Sequence, residues 1–221
     1  MSYSVIGGFP SQQLSFRKKN KEWRRRCVDF GDDHSQLRYN LARKSVRAMQ
    51  VNYDLLHGKL HMEELKKTGD VTVETLMDLF DGCPLVTDDN RELEERGFKA
   101  YLDDDYIVCC HLLIPQVEAM VRRLIYLNGG EVIHQGEDPA AGNLYISLDS
   151  LLDSEVAKAV MKEDMITYFK VLFVSPAGWN LRNLFCHGLL TTGSFNSTVA
   201  DRVVHAIMVL SQFKERNYAG K

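Results

Sequence analysis

The chain has 221 residues, 45% of them apolar and 26% charged, with a formal net charge of −3 at pH 7. That balance is ordinary for a globular chain and excludes wholesale disorder, and a chain of this length buries roughly two-thirds of its unfolded surface without needing disulfides. Five cysteines with no Cys-x-x-Cys pair offer neither a secreted disulfide framework nor a zinc-ligand spacing, which points to a reducing, cytoplasmic setting.

At the front of the chain, MSYSVIGGFPSQQLSF has no charged start and no long apolar run, the reverse of a signal peptide. Nowhere do about eighteen apolar residues run together, so no membrane-spanning helix is expected. Residues 1–50 carry 11 Lys or Arg against 4 Asp or Glu, and the rest of the chain carries 16 against 26, a split of +7 and −10. Most of the excess lies in FRKKNKEWRRR, where Lys18, Lys19, Arg24, Arg25 and Arg26 surround Trp23. Such a segment can grip RNA by releasing counterions from phosphates and stacking its aromatic on a base, or it is a solvated helix face. Residues 1–30 therefore separate, as a basic N-terminal arm or helix, from a helical bundle over 31–221.

Within the bundle, Leu37, Leu41, Val46, Met49, Tyr53, Leu56 and Leu60 recur at helical steps and predict an amphipathic helix over 34–67 that stops at Gly69. A short helix is expected over 73–80 behind the capping Thr72, ended by Gly82 and Pro84. Asp88 and Asp89 open another. The pattern from 91 to 127 reads as a charged helix to about Tyr101 and an apolar one from Tyr106, bent by Pro115 near Leu112 and ended by Gly129 and Gly130. Two β-like runs, 131–134 and 143–147, form a small hairpin. Helical spacing resumes over 153–174 and breaks at Ser175-Pro176-Ala177-Gly178. A last helix runs from Val199 to about Glu215, capped by Ser197 or Asn196. The count is that of an all-α bundle with a hairpin insertion.

The segment with most chemistry is LRNLFCHG, residues 181–188, in a helix that Asn180 can cap. Asn183 and His187, four apart, share one face, and Arg182 lies about 140° around the axis, an angle a long arginine can bridge. The three supply a titratable group, a fixed cation with five donors and an orienting amide. They suit an RNA phosphodiester, whose 2′-hydroxyl is an internal nucleophile: the histidine moves protons without a metal while the arginine offsets charge on phosphate oxygens. A helix N-terminus adds unpaired N–H groups and a dipole favouring the phosphate and the uncharged imidazole. The competing reading is a core histidine and a turn-capping asparagine.

Arg182-Asn183-Leu184-Phe185-Cys186-His187-Gly188 resembles the R-N-x-x-x-H-G signature of a domain-of-unknown-function branch of the HEPN superfamily. The context is similar too: Pro115, Glu118 and Arg122 in an apolar helix, and Gly178-Trp179-Asn180-Leu181 leading into the motif, over roughly residues 90–215. The resemblance implies a HEPN-like helical bundle that forms a homodimer. It also implies a metal-independent endoribonuclease without cofactors, in which Arg182 and His187 are the catalytic pair and Asn183 the polar residue after the arginine. By analogy with relatives it further implies a toxin or host-defence setting with a protein inhibitor or antitoxin. Members without nuclease activity serve as binding or dimerisation modules, so the resemblance speaks to fold before reaction.

Other clusters carry weaker signals. Asp103, Asp104 and Asp105 with His111 and Glu118 outline a metal site or, more simply, an acidic helix start. Glu118 and Arg122 form an intrahelical ion pair, which, if buried near the motif, would instead position Arg182 or substrate. Cys109, Cys110 and Cys186 read as buried structural residues, and His57 with His61 as a chance metal pair.

Overall fold

The computed structural model describes residues 66, 68–135 and 143–214, all of them within one compact unit. The basic segment with Lys18, Lys19, Arg24, Arg25 and Arg26, the expected helix up to residue 65 and the His57/His61 pair lie outside the described residues. The chain is helical at Lys66 and Thr68 and turns at Gly69, whose φ of 76° is the left-handed stop the sequence predicts.

Helix α1, Val73–Asp78, starts with a reciprocal capping box. The Thr72 hydroxyl accepts from the Thr75 N–H at 3.2 Å, and the Thr75 hydroxyl accepts from the Thr72 N–H at 2.8 Å. Helix α2, Asp88–Leu102, opens on the two aspartates, where negative charge suits the helix dipole. Helix α3, Tyr106–Leu127, is capped by Asp105, whose carboxylate accepts from the Val108 N–H at 3.1 Å. It continues through Pro115, which can supply no N–H to the His111 carbonyl one turn earlier.

Two short antiparallel strands follow, β1 Ile133–Gln135 and β2 Asn143–Tyr145, with Ile133 opposite Tyr145 and His134 opposite Leu144. The fold is thus all-helical with a small hairpin insertion. Among the described residues no helix is long and apolar enough to cross a membrane.

The single helix expected over 153–174 is instead two short ones and a π-helical turn, α5 Glu155–Val160, α6 Glu163–Phe169 and the π segment Lys170–Val174, preceded by a further short helix, α4 Leu148–Asp153. Ser154 makes the first break. It takes an extended conformation, its hydroxyl donates to the Leu151 carbonyl at 2.7 Å and accepts from the Ala157 N–H at 3.1 Å, so it ends one helix and caps the next. Met161 and Lys162 are also extended, and the buried Met161 anchors that second break in the core. Helix α7, Leu181–Cys186, carries the motif, and α8, Ser197–Leu210, closes the bundle. Asn196 rather than Ser197 caps α8, accepting from the Val199 N–H at 3.1 Å.

Helix α3 is the central element, packed chiefly against α2 and α8. Its Cys109, Cys110, Leu113, Val117, Val121 and Ile125 are fully buried with Phe98 and Tyr101 of α2 and Val203 and Ile207 of α8. Burying each such side chain contributes about 1.5–3 kcal/mol against the entropy of ordering the chain. Gly97, inside the charged α2, is explained by this packing: a Cβ there would sit 2.3 Å from the Leu113 side chain.

Candidate functional site

The approach to the motif is fixed by backbone contacts. The Ser175 N–H donates to the Lys170 carbonyl at 2.7 Å, closing the π turn, and the Trp179 N–H donates to the Val171 carbonyl at 2.9 Å. Gly178 lies so close to that strap that a Cβ would stand 2.0 Å from the Val171 carbonyl oxygen. Asn180 then takes the left-handed conformation (φ 55°, ψ 33°), which asparagine tolerates better than most residues. Asn180 stands at the N-cap of α7, yet its side chain caps nothing: it accepts from the Asn183 amide at 2.9 Å.

The other end of α7 is a Schellman turn. Gly188 is left-handed (φ 62°), its N–H donates to the Phe185 carbonyl at 3.0 Å, and the Leu189 N–H donates to the Leu184 carbonyl at 2.8 Å. This corrects one expectation. The helix is only six residues long and His187 is its C-cap, so the histidine stands at the opposite end of the dipole from the one the spacing argument assumed.

Arg182 reaches across to α3. Its Nε donates to Glu118 Oε2 at 2.7 Å and its Nη2 to Glu118 Oε1 at 3.3 Å, while its Nη1 donates to Asn183 Oδ1 at 3.2 Å. Asn183 passes the constraint on, donating to the Val174 carbonyl at 3.2 Å. Arg122 shares the carboxylate, donating to Glu118 Oε1 at 2.8 Å and to the Val132 carbonyl at 3.1 Å, and its guanidinium lies 5.2 Å from the centroid of the Tyr145 ring. The three charged groups are mostly buried, with side-chain exposures of 17% for Glu118, 19% for Arg122 and 25% for Arg182. The hydrogen bond that Arg182 donates to the Glu118 carboxylate holds the Arg182 pKa above its ordinary value, so this cation is permanent.

These groups border a cavity of about 350 Å³ lined by Ile114, Pro115, Ala119, Arg122, Tyr145 and Phe185, with Glu118, Arg182 and Cys186 at its wall. The network carries two positive charges and one negative. Among the described residues, three of the five Arg182 donors are engaged within the protein, leaving two N–H groups to meet a ligand.

The structure therefore joins Arg182 to Asn183 as expected, and realises the conditional reading of Glu118 as a positioning group for Arg182. His187 is exposed, does not line this cavity, and among the described residues its ring has no hydrogen-bond partner. Cys186, expected in the interior, is exposed, because α7 is a short surface helix that buries Leu181 alone. Cys109 and Cys110 are buried as expected. His111 packs its ring between Phe185 and Phe195, with centroids at 4.9 and 5.0 Å, and bonds the Ile107 carbonyl. Asp105 serves as the helix cap and Glu118 is held by arginines, so the acidic start of α3 reads as helix chemistry. Tyr145 is the residue that sequence reasoning missed, since a tyrosine in a three-residue strand gives no signal of its own.

No family model and no solved structure matches the chain. Among curated proteins, a stretch of 58 residues is 47% identical to the portal protein of Bacteroides phage crAss001. It covers 26% of this chain and 7% of that protein, so the chain matches only a small part of the relative's length.

Proposed function

We propose that this helical domain is a metal-independent endoribonuclease of the HEPN type. The observation that carries the reading is the alignment of Arg182 by Glu118 and Asn183 at the edge of a cationic cavity, with an exposed histidine at the other end of the same six-residue helix. In this reaction the 2′-hydroxyl attacks the adjacent phosphorus while one His187 takes its proton. The bond to the 5′-oxygen then breaks as a second histidine protonates that oxygen, leaving a 2′,3′-cyclic phosphate and a 5′-hydroxyl. Arg182 offsets the charge that grows on the non-bridging oxygens. Because His187 stands outside the cavity of its own Arg182, the reading requires a symmetric homodimer that brings two copies of α7 to one cleft. Its partners are RNA, a second copy of the chain and, in a toxin or host-defence setting, a protein inhibitor or antitoxin in the cytoplasm.

The test is cleavage of single-stranded RNA by the purified chain in the presence of a chelator. Cyclic-phosphate ends are expected, and His187→Ala and Arg182→Ala are expected to fold and to lose cleavage. Cleavage abolished by chelator, or retained in both variants, overturns the mechanism.

A second reading, a non-catalytic module that binds nucleic acid or protein, draws on the closed Glu118 network around Arg182 and on the segment shared with a phage portal protein. Binding that survives both alanine substitutions, without any cleavage, favours it.

A further inference from the structure

We infer that the cleft between α3, the hairpin and α7 is a nucleotide subsite, in which Tyr145 stacks the base of a single-stranded RNA residue and Arg122 holds its phosphate. The inference rests on the proposal that the domain acts on RNA, and assigns a binding role to two residues outside the motif.

Tyr145 is 71% exposed although it is a large aromatic side chain. One face of its ring meets Arg122 at 5.2 Å, a cation–π pair, and the ring forms part of the wall of the 350 Å³ cavity. That volume is at the small end of ligand pockets and suits one splayed nucleotide rather than a duplex. Arg122 is fixed at two points, by Glu118 Oε1 and by the Val132 carbonyl just before β1. This ties the hairpin to α3 and sets the position of the tyrosine relative to Arg182. Among the described residues the Arg122 Nε–H and one N–H on each terminal nitrogen remain for an acceptor. The site thus combines an aromatic platform, a positioned guanidinium and a net charge of +1, the set that recognises an unpaired base and its phosphate. Single-stranded RNA is the occupant the chemistry favours, since an exposed aromatic ring beside two guanidinium groups with N–H donors unengaged among the described residues matches an unpaired base next to a phosphate.

The experiment uses the full chain and a 5′-fluorescent 2′-O-methyl decanucleotide of mixed sequence, which cannot be cut by 2′-hydroxyl attack, so binding is read apart from cleavage. Tyr145→Ala is expected to weaken binding about tenfold, within the range of one base–aromatic stack, and Tyr145→Phe to bind like the native chain. Tyr126→Ala, which removes another exposed aromatic outside the cavity, is expected to change nothing. Equal affinity for Tyr145→Ala and the native chain overturns the subsite, as does an equal loss in Tyr126→Ala or no binding by the native chain. Tyr145-dependent binding by a chain that cuts no RNA sustains the subsite and rejects the nuclease.

Discussion

Glu118 and Arg182 lie 64 positions apart in the chain and meet with Arg182 Nε 2.7 Å from Glu118 Oε2. This pair ties the motif helix α7 to the middle of α3, and Arg122 on α3 completes it. Glu118→Gln keeps the size of the side chain and removes the charge that holds two guanidinium groups side by side. Breaking one partner of a mostly buried ion network is expected to cost about 1–3 kcal/mol. Urea unfolding reads this as a lower midpoint with an unchanged slope. An unchanged midpoint means the carboxylate does not hold the arginines.

Gly178 gives a test of the lead into the motif. Its position admits no Cβ, because the Val171 carbonyl oxygen would be 2.0 Å away and is itself the acceptor for the Trp179 N–H. Gly178→Ala must push the π turn and the start of α7 apart. A loss on the order of 2 kcal/mol or more is expected, the upper part of the range for overpacking. Gly193→Ala, at a position with open space around it, is the control and is expected to stay within about 0.5 kcal/mol. Thermal unfolding of the two variants side by side decides this.

Much of the fold was legible because its signals are local. Thr72, Gly69, Gly82 and the aspartates at 88 and 89 mark helix ends through backbone chemistry that needs no tertiary partner. The region 153–174 misled because its apolar spacing is helical throughout, whereas the breaks depend on one serine hydroxyl competing for the backbone and on the buried seat of Met161. At the site, the four-residue spacing of Glu118 and Arg122 announced their pairing. Arg182 reaching the same carboxylate is a tertiary fact, and so is the placing of Tyr145 over Arg122. His187 does follow Asn183 by one helical turn, its N–H donating to the Asn183 carbonyl at 3.1 Å. But Gly188 ends α7 just beyond it, so the histidine meets the C-terminal and not the N-terminal end of the dipole.

The four described cysteines separate by environment. Cys186 is exposed beside the cavity, while Cys83, Cys109 and Cys110 are buried. Interaction of its S–H with the neighbouring Cys110 thiol, together with burial, pushes the Cys109 pKa well above its ordinary value, so it offers almost no thiolate to a reagent. Iodoacetamide labelling of the native protein, mapped by mass spectrometry, is expected to modify Cys186 first and to reach the three buried thiols only in denaturant. Labelling of Cys109 at a rate comparable to Cys186 in the native protein contradicts the packing of α3 against α2 and α8.

Glu94 on α2 predicts the pH dependence of stability. Its side chain is buried, Oε2 has no hydrogen-bond partner among the described residues, and burial pushes its pKa from 4.5 up to about 7. The folded protein thus holds this proton more tightly than the unfolded chain does. Its contribution to stability is full below the unfolded value, declines as pH rises from there towards 7, and is lost above the folded value. Glu94→Gln, which is neutral at every pH, removes that dependence. Relative to the native chain the variant is expected to gain about 2 kcal/mol at pH 8 and to show little gain at pH 4.5. Urea midpoints for both proteins at the two pH values measure the difference. A variant that is equally displaced from the native chain at both values means the Glu94 carboxyl titrates in the folded protein as it does in the unfolded chain.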